Sequence, residues 1–246
     1  IELAEKISEI APQKLNKVFF GSSGSEANDS NIRIVREYWA ALGKPEKKII
    51  ISRKNAYHGS TMGGASLSGM TPMHRQGGLP IPDVYHIDEP DWWSHGGNSS
   101  PEEFGRAMAL QLESAIHHFS EERVAAFIAE PVQGAGGVII PPQSYWPQIQ
   151  KICDEYEILL IADEVICGFG RTGSMFATET YNLQPDMITM AKALSAAYTP
   201  ISAVMLNKQV ADVVYENSGK IGSFGHGFTY SAHPMSAAVA LETLNI

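Results

Sequence analysis

Three stretches of this chain hold residues whose types and placement could do chemistry together. The apolar run Ile158-Leu159-Leu160-Ile161-Ala162 ends in two acids, Asp163-Glu164. A second run, Met187-Ile188-Thr189-Met190-Ala191, ends in Lys192. A third, Val18-Phe19-Phe20, opens into Gly21-Ser22-Ser23-Gly24-Ser25-Glu26 ahead of a long amphipathic stretch. A continuous apolar run is the pattern of a strand buried on both faces of a parallel sheet. The acids and the lysine then stand at strand carboxyl ends, where open α/β sheets bind ligands. A carboxylate there is costly to bury unless a cation meets it. A lysine desolvated in an apolar pocket has a lowered pKa and becomes a nucleophilic amine able to form Schiff bases. The competing reading is a lysine whose stem packs while its ammonium reaches water. The small-residue loop lets backbone N–H groups approach an anion at a helix N-terminus. Ser23 or Ser25 could cap that helix, and a plain capped helix start explains the loop as well when it is taken alone. It carries neither a dinucleotide-binding glycine fingerprint nor a Gly-Lys-Ser/Thr phosphate loop.

Taken together, a buried acid, a strand-end lysine and an anion cradle match the needs of pyridoxal phosphate. The lysine holds the aldehyde as an imine, the carboxylate pairs with the protonated pyridine nitrogen, and the loop holds the phosphate. Tyr57, in Tyr57-His58-Gly59, offers an aromatic face for the ring.

The elements that must position these groups alternate between strand and helix. Residues 1–10 have helical periodicity and are followed by Pro12. Val18–Phe20 reads as a short strand, and the helix after it runs from Ala27 to Leu42, closed by Gly43 and Pro45. Lys48–Ser52 is the next strand. The segment from Gly63 to Ser100 is rich in Gly, Pro and Ser and reads as irregular, with a short strand at Val84–Ile87. A helix opens at Pro101 with early acids and reaches about Phe119. A strand from Val124 to Ile128 leads into Glu130-Pro131-Val132-Gln133-Gly134, and residues 143–156 form a helix. Met187–Met190 and Ala203–Leu206 are two more strands. Such alternation predicts an α/β fold with a mostly parallel sheet.

The chain has 246 residues, 44% of them hydrophobic and 18% charged, ordinary for one large globular domain. Its net charge of −9 and lack of a basic stripe argue against nucleic acid as a partner. No apolar run is long enough to span a membrane and no signal peptide is visible. Cys153 and Cys167 make no disulfide framework and suit a reducing, cytoplasmic setting. His117-His118 has no acid at metal-ligand spacing and reads as a solvated pair; Trp92-Trp93 has no assigned role beyond a possible interface. The chain opens on Ile1 and ends at Ile246, both within helical patterns, which reads as part of a longer polypeptide.

The ordered set Ser23-Gly24-Ser25-Glu26-Ala27-Asn28-Asp29, Tyr57-His58-Gly59, Glu130-Pro131-Val132-Gln133-Gly134, Ile161-Ala162-Asp163-Glu164-Val165, Gly168-Phe169-Gly170-Arg171-Thr172-Gly173, Asp186-Met187-Ile188, Ala191-Lys192 and Gly227-Phe228-Thr229-Tyr230-Ser231 resembles the class III aminotransferases of fold type I, in particular their ω-amino acid or amine:pyruvate branch. The resemblance covers nearly the whole chain. It implies a three-layer α/β/α large domain, residues 1–246, lacking most of the small domain. It makes Lys192 the Schiff-base lysine and proton shuttle and Asp163 the partner of the pyridine nitrogen. Val165 would pack on the ring face opposite Tyr57, and His58 would lie beside Tyr57 and support it. Gly24 and Ser25 would bind the phosphate with Ser23 close by, and Glu130 would lie near the pyridine edge. Phe228 and Thr229 would reach the partner subunit's site in a homodimer, Thr229 touching its phosphate. Glu164 reads as scaffold and Arg171 as an anchor of the glycine loop. The implied reaction is transamination from an ω-amino acid or amine to a keto acid such as pyruvate. The carboxylate-binding arginine of that family would lie outside this chain. An aminomutase, a decarboxylating or ornithine-type aminotransferase, or a non-catalytic binding module are the alternatives.

Overall fold

The computed structural model describes residues 1–12 and 15–246. Seven strands form one sheet: β1 (Leu15–Gly21), β2 (Ile49–Arg53), β3 (Val84–Ile87), β4 (Val124–Ala129), β5 (Leu159–Asp163), β6 (Met187–Met190) and β7 (Ser202–Asn207). Their order in space is β1-β7-β6-β5-β4-β2-β3. The pairings from β3 through β6 are parallel, while β7 runs antiparallel to both β6 and β1. The mixed α/β fold and mostly parallel sheet expected from the alternating pattern are both present.

Every residue of β2, β4, β5 and β6 is buried, which explains their unbroken apolar runs. Successive side chains still take opposite faces of the sheet. Ile50, Ala126, Ile128 and Ile161 pack with Ile32, Val35 and Trp39 of helix α2 (Gly24–Ala41) and with Val210 and Val214 of the helix Lys208–Ile221. Ile49, Ile51, Phe127 and Leu160 pack on the other face against the helices Pro101–Phe119 and Tyr145–Glu155. On that same face Ala162, Ile188 and Met190 meet helix α1 (Glu2–Ile10) and the helix Pro234–Asn245. The result is the expected three-layer α/β/α arrangement.

The structure departs from the sequence expectations at a few boundaries. Helix α2 begins at Gly24 rather than Ala27, because Ser23 Oγ accepts the Glu26 N–H at 3.2 Å and caps the helix there. Glu26 reaches back to the Ser22 N–H at 2.7 Å, so the acid rigidifies the turn before the helix. The segment 63–100 is less irregular than expected. It carries the helix Met62–Leu67, capped by Thr61, and single helical turns at Thr71–His74 and Trp92–His95. Trp92 donates to the Ser99 carbonyl, while Trp93 is 85% exposed. Among the described residues no helix is long and apolar enough to cross a membrane.

Phe127 is fully buried at the centre of the sheet. Phe127→Ala is expected to lower unfolding free energy by about 3–5 kcal/mol, read from a denaturant midpoint.

Candidate active site

The carboxyl ends of β5 and β6 and the first turn of α2 converge on one cleft of about 410 Å³. Its lining includes Ser23, Gly24, Ser25, Tyr57, His58, Asp163, Val165 and Lys192. The sheet therefore brings together most of the residues that the sequence singles out. Glu130 and Thr229 do not line it.

Asp163 ends β5 and is only 2% exposed. Its Oδ2 accepts from Asn28 Nδ2 at 2.8 Å and from His58 Nδ1 at 2.7 Å, and its Oδ1 accepts the Val165 N–H at 3.0 Å. Among the described residues no lysine or arginine forms an ion pair with it. His58 was expected to support Tyr57, but the structure turns its ring to Asp163 instead. A buried carboxylate and a buried imidazole each need a partner, and together they supply one. Tyr57 is held by other groups: its hydroxyl lies 3.0 Å from Ser60 Oγ, and its backbone N–H donates to Glu130 Oε1 at 3.0 Å.

Glu130 is itself buried, and its second oxygen accepts the Gly134 N–H at 2.9 Å. Burial pushes its carboxyl above the usual range, against the pull of these two donors. Arg53, fully buried over the rings of Tyr145 and Trp146, donates to the Glu130 carbonyl. Glu130 is thus a brace behind the Tyr57 loop.

The anion cradle lies at the N-terminus of α2. Ser25 Oγ accepts the Ser60 N–H at 3.0 Å, which leaves its own hydroxyl proton free to donate. The Tyr57-His58-Gly59 loop lies close on this turn. Gly59 has a φ of +130°, and a Cβ there would stand 2.8 Å from Ser25 Cα, so only glycine fits. A Cβ on Gly24 would meet the Val165 methyls at 3.2 and 3.3 Å, so that glycine keeps this wall of the cleft open.

Lys192 departs from expectation. It does not close a strand in apolar surroundings; β6 stops at Met190, and Lys192 opens a 3₁₀ turn, Lys192–Ser195, with its side chain exposed. The chain leaves the sheet at Ala191, so the lysine is carried out to the cleft wall. Its φ is 42°, and Ala196 and Ala197 also lie in the left-handed region. Such non-glycine conformations cost on the order of 1–3 kcal/mol each and cluster at functional sites.

The second acid takes another part. Glu164 Oε1 accepts the Thr178 N–H at 2.7 Å and Oε2 the Ala177 N–H at 3.1 Å, as suits a scaffold residue. Burial outweighs both donors and pushes its pKa up to about 7. Arg171 Nε donates to the Ile166 carbonyl at 3.0 Å, anchoring the glycine loop as expected. Cys153 and Cys167 are both buried, and burial pushes the Cys167 thiol up to about 12. Among the described residues no cluster of His, Cys, Asp and Glu could hold a metal. Thr229 is exposed on a loop whose Phe228 packs edge-on against Phe19.

Sequence reasoning missed Asn28, Asn31, Thr189 and Ser60. The first three are buried polar residues, and Asn28 bridges directly to Asp163. Their signal was available: Asn28 and Asn31 stand one turn apart on the buried face of α2, and Thr189 interrupts an apolar strand.

Because the folded state holds the Glu164 proton more tightly, this group favours folding at low pH. That contribution is fully present below about pH 4.5 and is lost as pH rises through about 7. Glu164→Gln is expected to flatten that part of the profile of unfolding midpoint against pH.

Comparison with known proteins places this cleft in context. The chain is 54% identical over 246 residues to the putrescine–pyruvate aminotransferase of Pseudomonas aeruginosa, covering all of this chain and 53% of that protein. It is 52% identical over 248 residues to the chloroplastic gamma aminobutyrate transaminase 3 of Solanum lycopersicum, covering 100% of this chain and 48% of that one. A crystal structure of the omega transaminase from Pseudomonas jessenii in complex with PMP superposes with a TM-score of 0.98 at 49% identity, covering 99% of this chain and 54% of that one. The chain spans about half the length of the curated relatives it matches. The family model for class-III aminotransferases matches residues 1–246, and the chain belongs to that family.

Proposed function

We propose that the protein is a pyridoxal-phosphate-dependent transaminase that moves an amino group from an amine or ω-amino acid to a keto acid, with pyruvate as acceptor. The observation that carries this reading is the convergence of Lys192, Asp163 and the first turn of α2 on a single cleft. The residues present fit the cofactor. Asp163 is a buried acid that meets an amide, an imidazole and a backbone N–H and, among the described residues, no lysine or arginine, which suits it to a protonated ring nitrogen. The open wall at Gly24 and the free hydroxyl proton of Ser25 suit a phosphate at a helix N-terminus. Class III aminotransferases depend on pyridoxal phosphate, and one structural neighbour is in complex with PMP. The names of the relatives, a putrescine–pyruvate aminotransferase and gamma aminobutyrate transaminases, support primary amines and ω-amino acids as donors.

When bound, pyridoxal phosphate supplies an electron sink that makes the proton on the donor's α carbon removable. Lys192 Nζ would hold the cofactor and, once displaced by the donor amine, would be the free amine that takes and returns that proton. Asp163, anchored by Asn28, His58 and the Val165 N–H, would hold the proton on the ring nitrogen. The Gly24 and Ser25 N–H groups and the Ser25 hydroxyl would hold the phosphate, with Ser23 occupied in capping the helix. Tyr57, fixed by Ser60 and Glu130, and Val165, beside Gly24, would hold the ring. Among the described residues no arginine lines the cleft. We assign residues 1–246 to the cofactor-binding large domain. Phe228 and Thr229, which stand off their own cleft, are assigned to the partner subunit's site in a homodimer.

The full-length enzyme is expected to consume primary amines only when pyruvate is supplied and to show a visible cofactor absorption band. Lys192→Ala is expected to abolish both. Absence of turnover with several ω-amines would remove the substrate assignment, and a band unchanged in Lys192→Ala would remove the site itself.

A further inference from the structure

Beside Asp163 lies a buried polar group: Asn28 lines the cleft, while Asn31 and Thr189 stand behind it and the reaction scheme leaves them unused. Asn28, Asn31 and Thr189 are each at most 1% exposed, beside the apolar cluster that α2 forms with the sheet. Burying three polar side chains is costly unless their hydrogen bonds are made in a defined pattern. The Asn31 amide donates to Thr189 Oγ1 at 2.6 Å and to Asn28 Oδ1 at 2.9 Å, and Thr189 Oγ1 donates to Asn28 Oδ1 at 3.0 Å.

These contacts fix the direction of every bond. Asn28 Oδ1 has two lone pairs, and both are taken. Its NH₂ group must then face the other way, where it meets the His58 carbonyl and Asp163 Oδ2, both at 2.8 Å. A reversed Asn28 amide would set an oxygen against a carbonyl and a carboxylate and is excluded on charge alone. Thr189 has one hydroxyl proton; its oxygen already receives Asn31, so that proton goes to Asn28. The donors therefore all point the same way, from Asn31 through Thr189 and Asn28 to the Asp163 carboxylate. Each bond in such a chain polarises the next.

We propose that Thr189 and Asn28, oriented by Asn31, are positioning residues for Asp163 and direct its Oδ1 to the cofactor's ring nitrogen. The inference rests on the reading above that Asp163 meets that nitrogen. A carboxylate has about four lone-pair sites. On Oδ2 both are filled, by Asn28 and His58; on Oδ1 one is filled, by the Val165 N–H. Oδ1 is the oxygen with room for one more donor. The chain also ties together the elements that carry the site. Thr189 pairs with Asp163 in the β5–β6 register, its carbonyl accepts the Glu164 N–H at 2.9 Å, and Lys192 follows it by three residues. Asn28 and Asn31 lie in the helix whose first turn is the anion cradle.

The test compares Thr189→Val, which removes the hydroxyl at nearly constant shape, with Thr189→Ser, which keeps it, in the full-length enzyme. Two quantities are read: the dissociation constant of pyridoxal phosphate from titration of the apoenzyme, and the pH midpoint of the bound cofactor's visible band. Thr189→Val is expected to weaken binding on the order of tenfold and to move the midpoint, with Thr189→Ser restoring both. Asn28→Ala is the second variant and is expected to shift both quantities in the same direction and further. Parental values in Thr189→Val and Asn28→Ala, with the band still lost in Lys192→Ala, would overturn the donor chain and leave the site reading standing. Equal losses in Thr189→Val and Thr189→Ser would also overturn it, since the hydroxyl would not be the agent. A band that survives Lys192→Ala would overturn the site reading and the donor chain with it.

Discussion

A carboxylate at the end of a buried strand sets the terms for the rest of this structure. Asp163 is 2% exposed, and among the described residues it has no lysine or arginine partner. Burying an ion costs several kcal/mol unless its surroundings compensate. Compensation comes from three donors on three different segments: an amide on α2, an imidazole on the Tyr57 loop, and the backbone just past β5. Each donor has to be brought in by its own element. Packing of α2 on the sheet, closure of the Tyr57-His58-Gly59 loop on the first turn of α2 and the β5–β6 register all serve that one charge. The same three elements form the walls of the cleft, so stabilising the acid and building the site are one structural task.

The neighbouring acid shows how far a single residue step changes a role. Asp163 and Glu164 are adjacent, yet the alternation of side chains at a strand end sends them to different places. Asp163 enters the cleft and its polar network. Glu164 turns to the backbone N–H groups of Ala177 and Thr178, and burial leaves it with a pKa of about 7. One acid faces the cleft, where we propose that it meets a cation from outside the chain. The other ties the glycine loop region to the sheet.

The parts of the site legible in the sequence were those at the ends of long apolar runs. Asp163, Lys192 and the Gly24-Ser25 turn stand at points where the hydrophobic pattern breaks, and a break is visible without knowing the fold. The α/β class and the mostly parallel sheet followed from strand–helix alternation, and the three layers from the family resemblance; the order of the strands did not show in the sequence. What stayed hidden was set by contacts between distant segments. His58 and Asp163 are 105 residues apart, and nothing local to His58 shows that its ring leaves Tyr57 for the acid. Asn28 and Thr189 are 161 apart, and each alone reads as a polar residue within a helix or a strand. The exposure of Lys192 was hidden too, because the sequence shows the apolar run before it and not the left-handed turn that takes it off the sheet.

The central claim is that Asp163 meets a protonated ring nitrogen. The most direct measurement is the ¹⁵N chemical shift of that nitrogen in pyridoxal phosphate bound to the full-length enzyme, compared with Asp163→Asn. A protonated shift near neutral pH in the parent, replaced by an unprotonated one in Asp163→Asn, is the expected result. The same shift in both proteins would contradict it.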